Sequence, residues 1–470
     1  MAASDILQAA AAHRTKLEGR LHDGIVGSLF DEAERIAGRA VSQDGKREKL
    51  RVDQAIDRVL TSRIWGFPAM IFLFAGAFWL TIAGANVPSA MLGDLLMGTV
   101  YGWLKAGAAA ISAPAWLSGF LLDGVYLAMA WVISVMLPPM AIFFPIFTLL
   151  EDFGYLPRVA FNLDRAFKSS GAHGKQSLTM MMGFGCNAAG ITSTRIIDSP
   201  RERLIAIVTN NFAICNGRWP TLILMATIFL AAPAPPALAS LVAAGSVVGI
   251  AILGVFFTLV VSKFLSKTWL KGEASSFALE LPPYRPPRIL QTLYTSLIDR
   301  TLIVLWRAVV MAAPAGAVIW LISNISVSGQ SLAYWFVSGL DPLGTFIGLN
   351  GVILLAYIVA IPANEIIVPT ILMLTLNLAR SALASQGVML ELEDAETRKV
   401  LIELGGWTWL TGMNLMLFSL LHNPCSTTLM TIYRETGSKK WTFMAAAIPL
   451  VLGFAVCFLT ATLARLFGWV

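Results

Sequence analysis

FLLDGVYLAMAWVISVMLPPMAIFFPIFTLL, residues 120–150, is apolar along its whole length and carries a single charge, Asp123. About 20 predominantly apolar residues suffice to cross the hydrocarbon core of a bilayer as a helix. The apolar residues run on without alternating, which excludes a strand of an outer-membrane barrel. Pro138-Pro139 and Pro145 stand inside the run. Backbone groups freed by proline within a bilayer must be satisfied by protein or by a water-lined cavity. The stretch therefore predicts a spanning helix that is interrupted and faces something polar.

Runs of comparable length lie at 64–84, 204–231, 239–262, 301–323, 345–382, 407–432 and 441–466. The whole chain of 470 residues is 57% hydrophobic and 13% charged, with a mean hydropathy of +0.71. Soluble proteins are about a quarter charged, so a water-soluble enzyme is excluded. The pattern predicts an all-α polytopic membrane protein with about eight transmembrane helices. Residues 90–112, with Asp94 and Lys105, read as a helix lying in the membrane interface. Like 120–150, the run 345–382 is broken, by Pro362 and Pro369.

The net charge of +6 comes from basic residues that flank the apolar runs, the positive-inside pattern of a membrane protein and not a nucleic-acid surface. Residues 1–63 carry eleven Lys/Arg and ten Asp/Glu with no apolar core, so they read as a charge-mixed, helical cytoplasmic segment and not a signal peptide. Basic clusters at Arg158–Lys175 and Arg195–Arg203 bracket the apolar piece 177–194, which predicts a re-entrant hairpin between two cytoplasmic ends. The segment 385–403, with five acids and two bases, favours the opposite side and makes 345–382 a second hairpin or helix pair. The resulting organisation is a cytoplasmic segment (1–63), a first membrane half (64–270), a linker (271–300) and a second membrane half (301–470), each half with one hairpin repeat. Repeat-built transporters place substrate near the midplane, between discontinuous helices. Here those breaks fall at Gly183-Phe184-Gly185-Cys186-Asn187 and Ile361-Pro362-Ala363-Asn364-Glu365.

Several residues at these places are chemically expensive. Glu365 lies inside an apolar run, where an ionisable group implies a pathway role or a buried partner such as Arg307. Glu151 and Asp152 close the run quoted first. Cys186 with Asn187, Cys215 with Asn216, and Cys425 with His422 and Asn423 combine thiolate, imidazole and amide oxygen. That mixture suits borderline late divalent metals and suits Mg²⁺ or Ca²⁺ poorly. Cys457, without polar neighbours, reads as packing. No closed zinc spacing occurs. The stretch Gly171-Ala172-His173-Gly174-Lys175-Gln176-Ser177 fails the phosphate-loop pattern, because Ser169 and Gln176 occupy positions that require Gly and Ser or Thr. No nucleotide site and no enzyme activity are expected of this chain.

The sequence resembles the membrane domain of the ferrous iron transport protein B family, FeoB. The resemblance rests on DRVLTSRIWGFP (57–68), LLEDFGYLPRVAFNLDR (149–165), GFGCNAAGITSTR (183–195), SPRERL (199–204), LELPPYRPP (279–287), PANEIIV (362–368) and NPCSTTLMTIYRETGSKKW (423–441). It implies two gate-type repeats and uptake of Fe²⁺, as transported substrate, across a bacterial inner membrane with the N-terminus cytoplasmic. It places Cys186, Cys215, Cys425 and Glu365 along the metal route, with Asn187 and His422 as harder contacts. Gly183, Gly185, Pro362, Asn364 and Asn423 then shape the gate, and Glu151 and Asp152 stand near the cytoplasmic exit. It also implies a small FeoA-like protein, lipid contacts and a homo-oligomer, with the GTP-binding unit either on a separate chain or dispensed with in a divergent paralogue. Ala188-Ala189 stand where the family has Val-Pro, and Asn364 replaces a lysine before Glu365. The family's N-terminal GTP-binding domain has no counterpart in residues 1–63. Two other transport readings stay open on these residues, Zn²⁺ or Mn²⁺ and a nucleoside. So do an intramembrane hydrolase using Cys186 and His422, which lacks an orienting third group, and a non-transporting scaffold.

Overall fold

The computed structural model describes residues 20–40, 47–62, 64–232, 234–272, 284, 288–379 and 394–468. Most of the linker motif at 279–287 and the first part of the acidic segment 385–403 lie outside the described residues. Two polar helices, α1 (Arg20–Ala40) and α2 (Arg47–Leu60), come first. The long apolar helices α3 (Gly66–Ala110) and α4 (Ala115–Asp152) follow. Then come α5 (Tyr155–Ser169), α6 (Gln176–Gly185), α7 (Asn187–Ser193), α8 (Pro200–Thr209), α9 (Trp219–Met225) and α10 (Pro236–Lys267). The second half holds α11 (Ile289–Asn324), α12 (Leu332–Phe346), α13 (Gly351–Val359), α14 (Ile367–Leu378), α15 (Trp409–Leu421), α16 (Ser426–Thr436) and α17 (Lys439–Leu466). A two-residue hairpin pairing, Ser326 with Ser331, joins α11 to α12.

Among the described residues six helices are long and apolar enough to cross a membrane, or seven when α12 and α13, bent by 111°, count as one span. The runs 345–382 and 407–432 account for the shortfall from eight. Each is split into two short helices, at Pro362 and at His422-Asn423-Pro424, where proline withholds an N–H and polar side chains compete for the backbone. Residues 90–110 depart from expectation as well. They continue α3 as one 45-residue helix and do not form a separate interfacial piece. Lys105 is not seeking the interface. It pairs with Asp123 of α4 at 2.7 Å, and Tyr101 donates to the same carboxylate at 2.7 Å.

The helix ends carry their own signals. Ser199 caps α8 by accepting from the Glu202 N–H, with Pro200 in the first turn. Asn350 accepts from Ile353 N–H at 2.9 Å to start α13. Helix α4 runs through the centre, packed along α3 and α11, with Phe143 and Phe147 stacked at 4.1 Å toward one side.

The segment holding α6 and α7 leaves one side of the fold and returns to it. Lys175, just before α6, donates to the Ile196 carbonyl at 2.9 Å and to Asp198 at 3.1 Å, just after α7. Cysteines introduced at Ser169 and Asp198, both exposed, should therefore react with a membrane-impermeant thiol reagent from the same side, measured against the native-cysteine background. Labelling from opposite sides would sink the hairpin.

Two polar clusters tie the elements together. Arg195 grips Glu435 through two nitrogens in three hydrogen bonds of 2.6 to 3.1 Å, and Arg203 adds a fourth at 3.0 Å. Hydrogen bonding from Arg195, against a burial cost and with help from Arg203, holds the Glu435 carboxyl below the ordinary range. The pair joins the hairpin of the first half to α16 of the second. Further along, the buried Arg158 meets Asp57 of α2 at 2.9 and 3.1 Å, and its guanidinium lies 4.1 Å from the Tyr284 ring. Tyr284 donates to Asp57 at 2.7 Å. Burial opposes charge on Asp57, but the bonds from Arg158 and Tyr284 prevail and keep its carboxyl below the usual range.

Candidate functional site

Four backbone breaks interrupt the apolar helices. At Cys186, between α6 and α7, the chain is extended (φ −150°, ψ 120°). At Ala363, between α13 and α14, it takes the same conformation (φ −150°, ψ 116°). The other two breaks match each other in the same way, Cys215 at φ −74°, ψ 164° and Cys425 at φ −62°, ψ 159°. In each case a helical turn begins at the next residue. The breaks therefore form two matched pairs in the same chain order, Cys186 then Cys215, and Ala363 then Cys425.

All four meet at one cavity of about 40 Å³. The first break contributes Gly185, Cys186 and Asn187, and the second Cys215, Asn216 and Gly217. The third contributes Pro362 to Glu365, and the fourth Cys425 with Thr427 and Thr428. A water needs on the order of 10–15 Å³ of such space, so the cavity has room for an ion with a few waters. Cys186, Cys215, Cys425 and Glu365 are each half-buried there. Two glycines permit the approach. A Cβ on Gly217 would lie 2.3 Å from Glu365 Oε1, and one on Gly185 would lie 1.8 Å from the Phe143 ring. Among the described residues no three His, Cys, Asp or Glu side chains converge closely enough to hold a metal together.

The remaining candidates stand at graded distances from this space. Asn187 lines it, but its amide nitrogen, oriented by its surroundings, faces the Gly183 and Ala213 carbonyls at 3.0 and 3.1 Å. Gly183 lies behind the break, against Asn210. Asn364 spans from Cys215 Sγ, 3.9 Å from its amide nitrogen, to His422 Nε2, 3.3 Å from its oxygen. His422 is behind Asn364 and not on the cavity wall. Its Nδ1 faces the Ser419 carbonyl at 2.9 Å, and its ring packs 4.8 Å from Tyr357. Asn423 turns its amide to the Pro424 carbonyl. Glu151 and Asp152 sit at the exposed end of α4, where Asp152 accepts from Thr292 at 2.7 Å, and neither lines the cavity. Cys457 is fully buried and donates to the Asn414 carbonyl at 3.4 Å, as a packing cysteine does.

Glu365 makes no ion pair among the described residues. Arg307, on the same helix as the cavity-lining Val304 and Ala308, is not joined to it. The charge that organises the site is a different one, Arg218, at 1% exposure. Its guanidinium donates to the carbonyls of Asn211 (3.0 Å), Leu420 (3.1 Å), His422 (3.4 Å) and Asn423 (3.4 Å), and to Asn211 Oδ1 (2.9 Å). Asn211 itself donates to the His422 carbonyl at 2.7 Å, and Asn210 to the Asn187 carbonyl at 3.1 Å. Ser426 N–H reaches the Ile361 carbonyl at 2.8 Å. These bonds lock all four breaks to one another. Arg218 had a sequence signal, as the only charge in the run 204–231.

The family model described as "Gate: Nucleoside recognition" matches residues 133–229 and 305–439, and "Ferrous iron transport protein B C terminus" matches residues 247–299. The chain is 30% identical over 431 residues to the Fe(2+) transporter FeoB of Staphylococcus aureus (strain COL), covering 89% of this chain and 60% of that protein. It is 28% identical over 420 residues to the Fe(2+) transporter FeoB of Synechocystis, covering 88% of this chain and 63% of the relative. A Porphyromonas gingivalis protein named as a fusion of Fe(2+) transport protein A with Fe(2+) transporter FeoB is 26% identical over 458 residues, covering 88% of this chain and 51% of that one. The chain thus spans about 60% of the length of the first of these curated relatives. No solved structure matches it.

Proposed function

We propose that this chain, which belongs to the ferrous iron transport protein B family through its membrane portion, passes ferrous iron across a bacterial inner membrane through the cavity where the four breaks meet. The observation that carries the reading is the gathering of Cys186, Cys215, Cys425 and Glu365, from four separate breaks, around one space with room for an ion and a few waters. Thiolates suit borderline and soft cations, and the carboxylate supplies negative charge. A conducted ion must bind weakly and at more than one place, or it would not leave. Ligands that share a cavity without converging fit that demand better than a closed site would. The nucleoside reading is disfavoured by size, since small-molecule pockets run from about 300 Å³ upward.

On this reading the basic side holding Arg158, Arg195 and Arg203 is cytoplasmic, as are α1 and α2. The described helices conduct the ion, and GTP binding outside them supplies the gating energy. The P. gingivalis fusion supports a small FeoA-like partner. In proteoliposomes, Cys186→Ser should lower Fe²⁺ uptake roughly tenfold while affecting Mn²⁺ less, because a hard hydroxyl replaces a soft thiolate. Cys457→Ser should transport like the parent. Normal Fe²⁺ uptake by both variants would refute the thiolate route.

A further inference from the structure

We propose that Met136 and Met140 are ion-selecting residues, a thioether wall that tunes the cavity to soft cations and admits monovalent d¹⁰ ions of the cuprous class. The inference rests on reading the cavity as an ion route. The two methionines stand one helical turn apart on α4 and line the same cavity as Cys186, Cys215 and Cys425. Five sulfur-bearing side chains therefore line a space with one carboxylate on its wall, Glu365. Thiolate and thioether donors select soft ions such as Cu(I), whereas Mn²⁺ and Mg²⁺ prefer oxygen.

The geometry gives these thioethers something to do. The acidic, thiol and imidazole groups do not converge as a set of three among the described residues, so an ion held by one or two cysteines needs donors able to move to it. Methionine is unbranched, with three rotatable bonds and a polarisable sulfur, and it can reach an ion without any shift of backbone. Pro138 and Pro139 lie between the two, so that turn of α4 lacks two N–H groups, and the methionine side chains are what this stretch presents to the cavity. Leucine would fill the same volume without a donor, which separates the proposal from plain packing.

The test uses the full chain in detergent, with Ag⁺ as a redox-inert stand-in for the cuprous ion. The readout is the concentration of Ag⁺ that half-protects Cys186 from alkylation, followed by peptide mass spectrometry, with Mn²⁺ protection measured in parallel. Met136→Leu/Met140→Leu should raise the Ag⁺ requirement roughly tenfold. Mn²⁺ protection should stay within about twofold, and thermal stability should stay that of the parent, because the exchange conserves volume. Equal Ag⁺ protection in parent and variant overturns the proposal, as does a parallel loss for Ag⁺ and Mn²⁺, or a parent that Ag⁺ does not protect. A parent with methionine-dependent Ag⁺ protection but no Fe²⁺ uptake would leave the soft wall standing and overturn the iron reading alone.

Discussion

Arg218→Met should destabilise the chain by about 3 kcal/mol or more, since each buried acceptor left unsatisfied costs about 1–3 kcal/mol. Arg218 is 1% exposed and serves four backbone carbonyls and the Asn211 side chain. Its bonds cross from the second break to the carbonyls of Leu420, His422 and Asn423 at the fourth. Among the described residues this cation has no carboxylate partner; it persists because carbonyl dipoles surround it, and methionine would strip those dipoles of their donor. Arg218→Lys, which keeps the charge but loses the planar fork, should recover only part of the stability. Thermal inactivation in detergent, read beside iron uptake, is the measurement. If the methionine variant inactivates at the parent's temperature and transports normally, the four breaks do not depend on this hub.

How much of this was legible beforehand depends on whether the information was local. The breaks at 183–187 and 361–365 could be read because glycine, proline and polar residues interrupt apolar runs, and those signals act within a few residues of the chain. That 407–432 would split at His422-Asn423-Pro424 was equally local, yet its apolar average outweighed the polar trio. The joint of Asp57, Arg158 and Tyr284 shows the opposite case. All three lie in quoted motifs, but they meet across 101 and 227 residues, a separation no periodicity reports. Lys105 is a case of the same kind: alone it suggests an interface, whereas in the fold it pairs with Asp123 of the next helix. Met136 and Met140 sit in the run that decided the fold, where methionine is ordinary filling. Their interest comes from the three cysteines that the fold brings beside them.

Glu365→Gln separates a functional carboxylate from a structural one. Had the side chain been held by Arg307, its neutralisation would leave a buried charge unpaired and cost several kcal/mol. No ion pair holds it among the described residues; its carboxylate rests against Gly217, where even a methyl group would collide. Glutamine keeps that shape, so the variant should fold and resist heat as the parent does. What it loses is the only formal negative charge on the cavity wall before any thiol ionises. A divalent ion shedding its water there needs that charge, and an amide oxygen replaces only the dipole. Uptake of radiolabelled iron should fall at least tenfold, about 1.4 kcal/mol of lost interaction. Because a metal displaces the proton from its carboxylate ligand, the parent's uptake should rise with pH, and the glutamine variant should be flatter. A heat-labile variant would return Glu365 to a structural role. A stable one with parental uptake would remove it from the route and leave the three thiols to carry the ion alone.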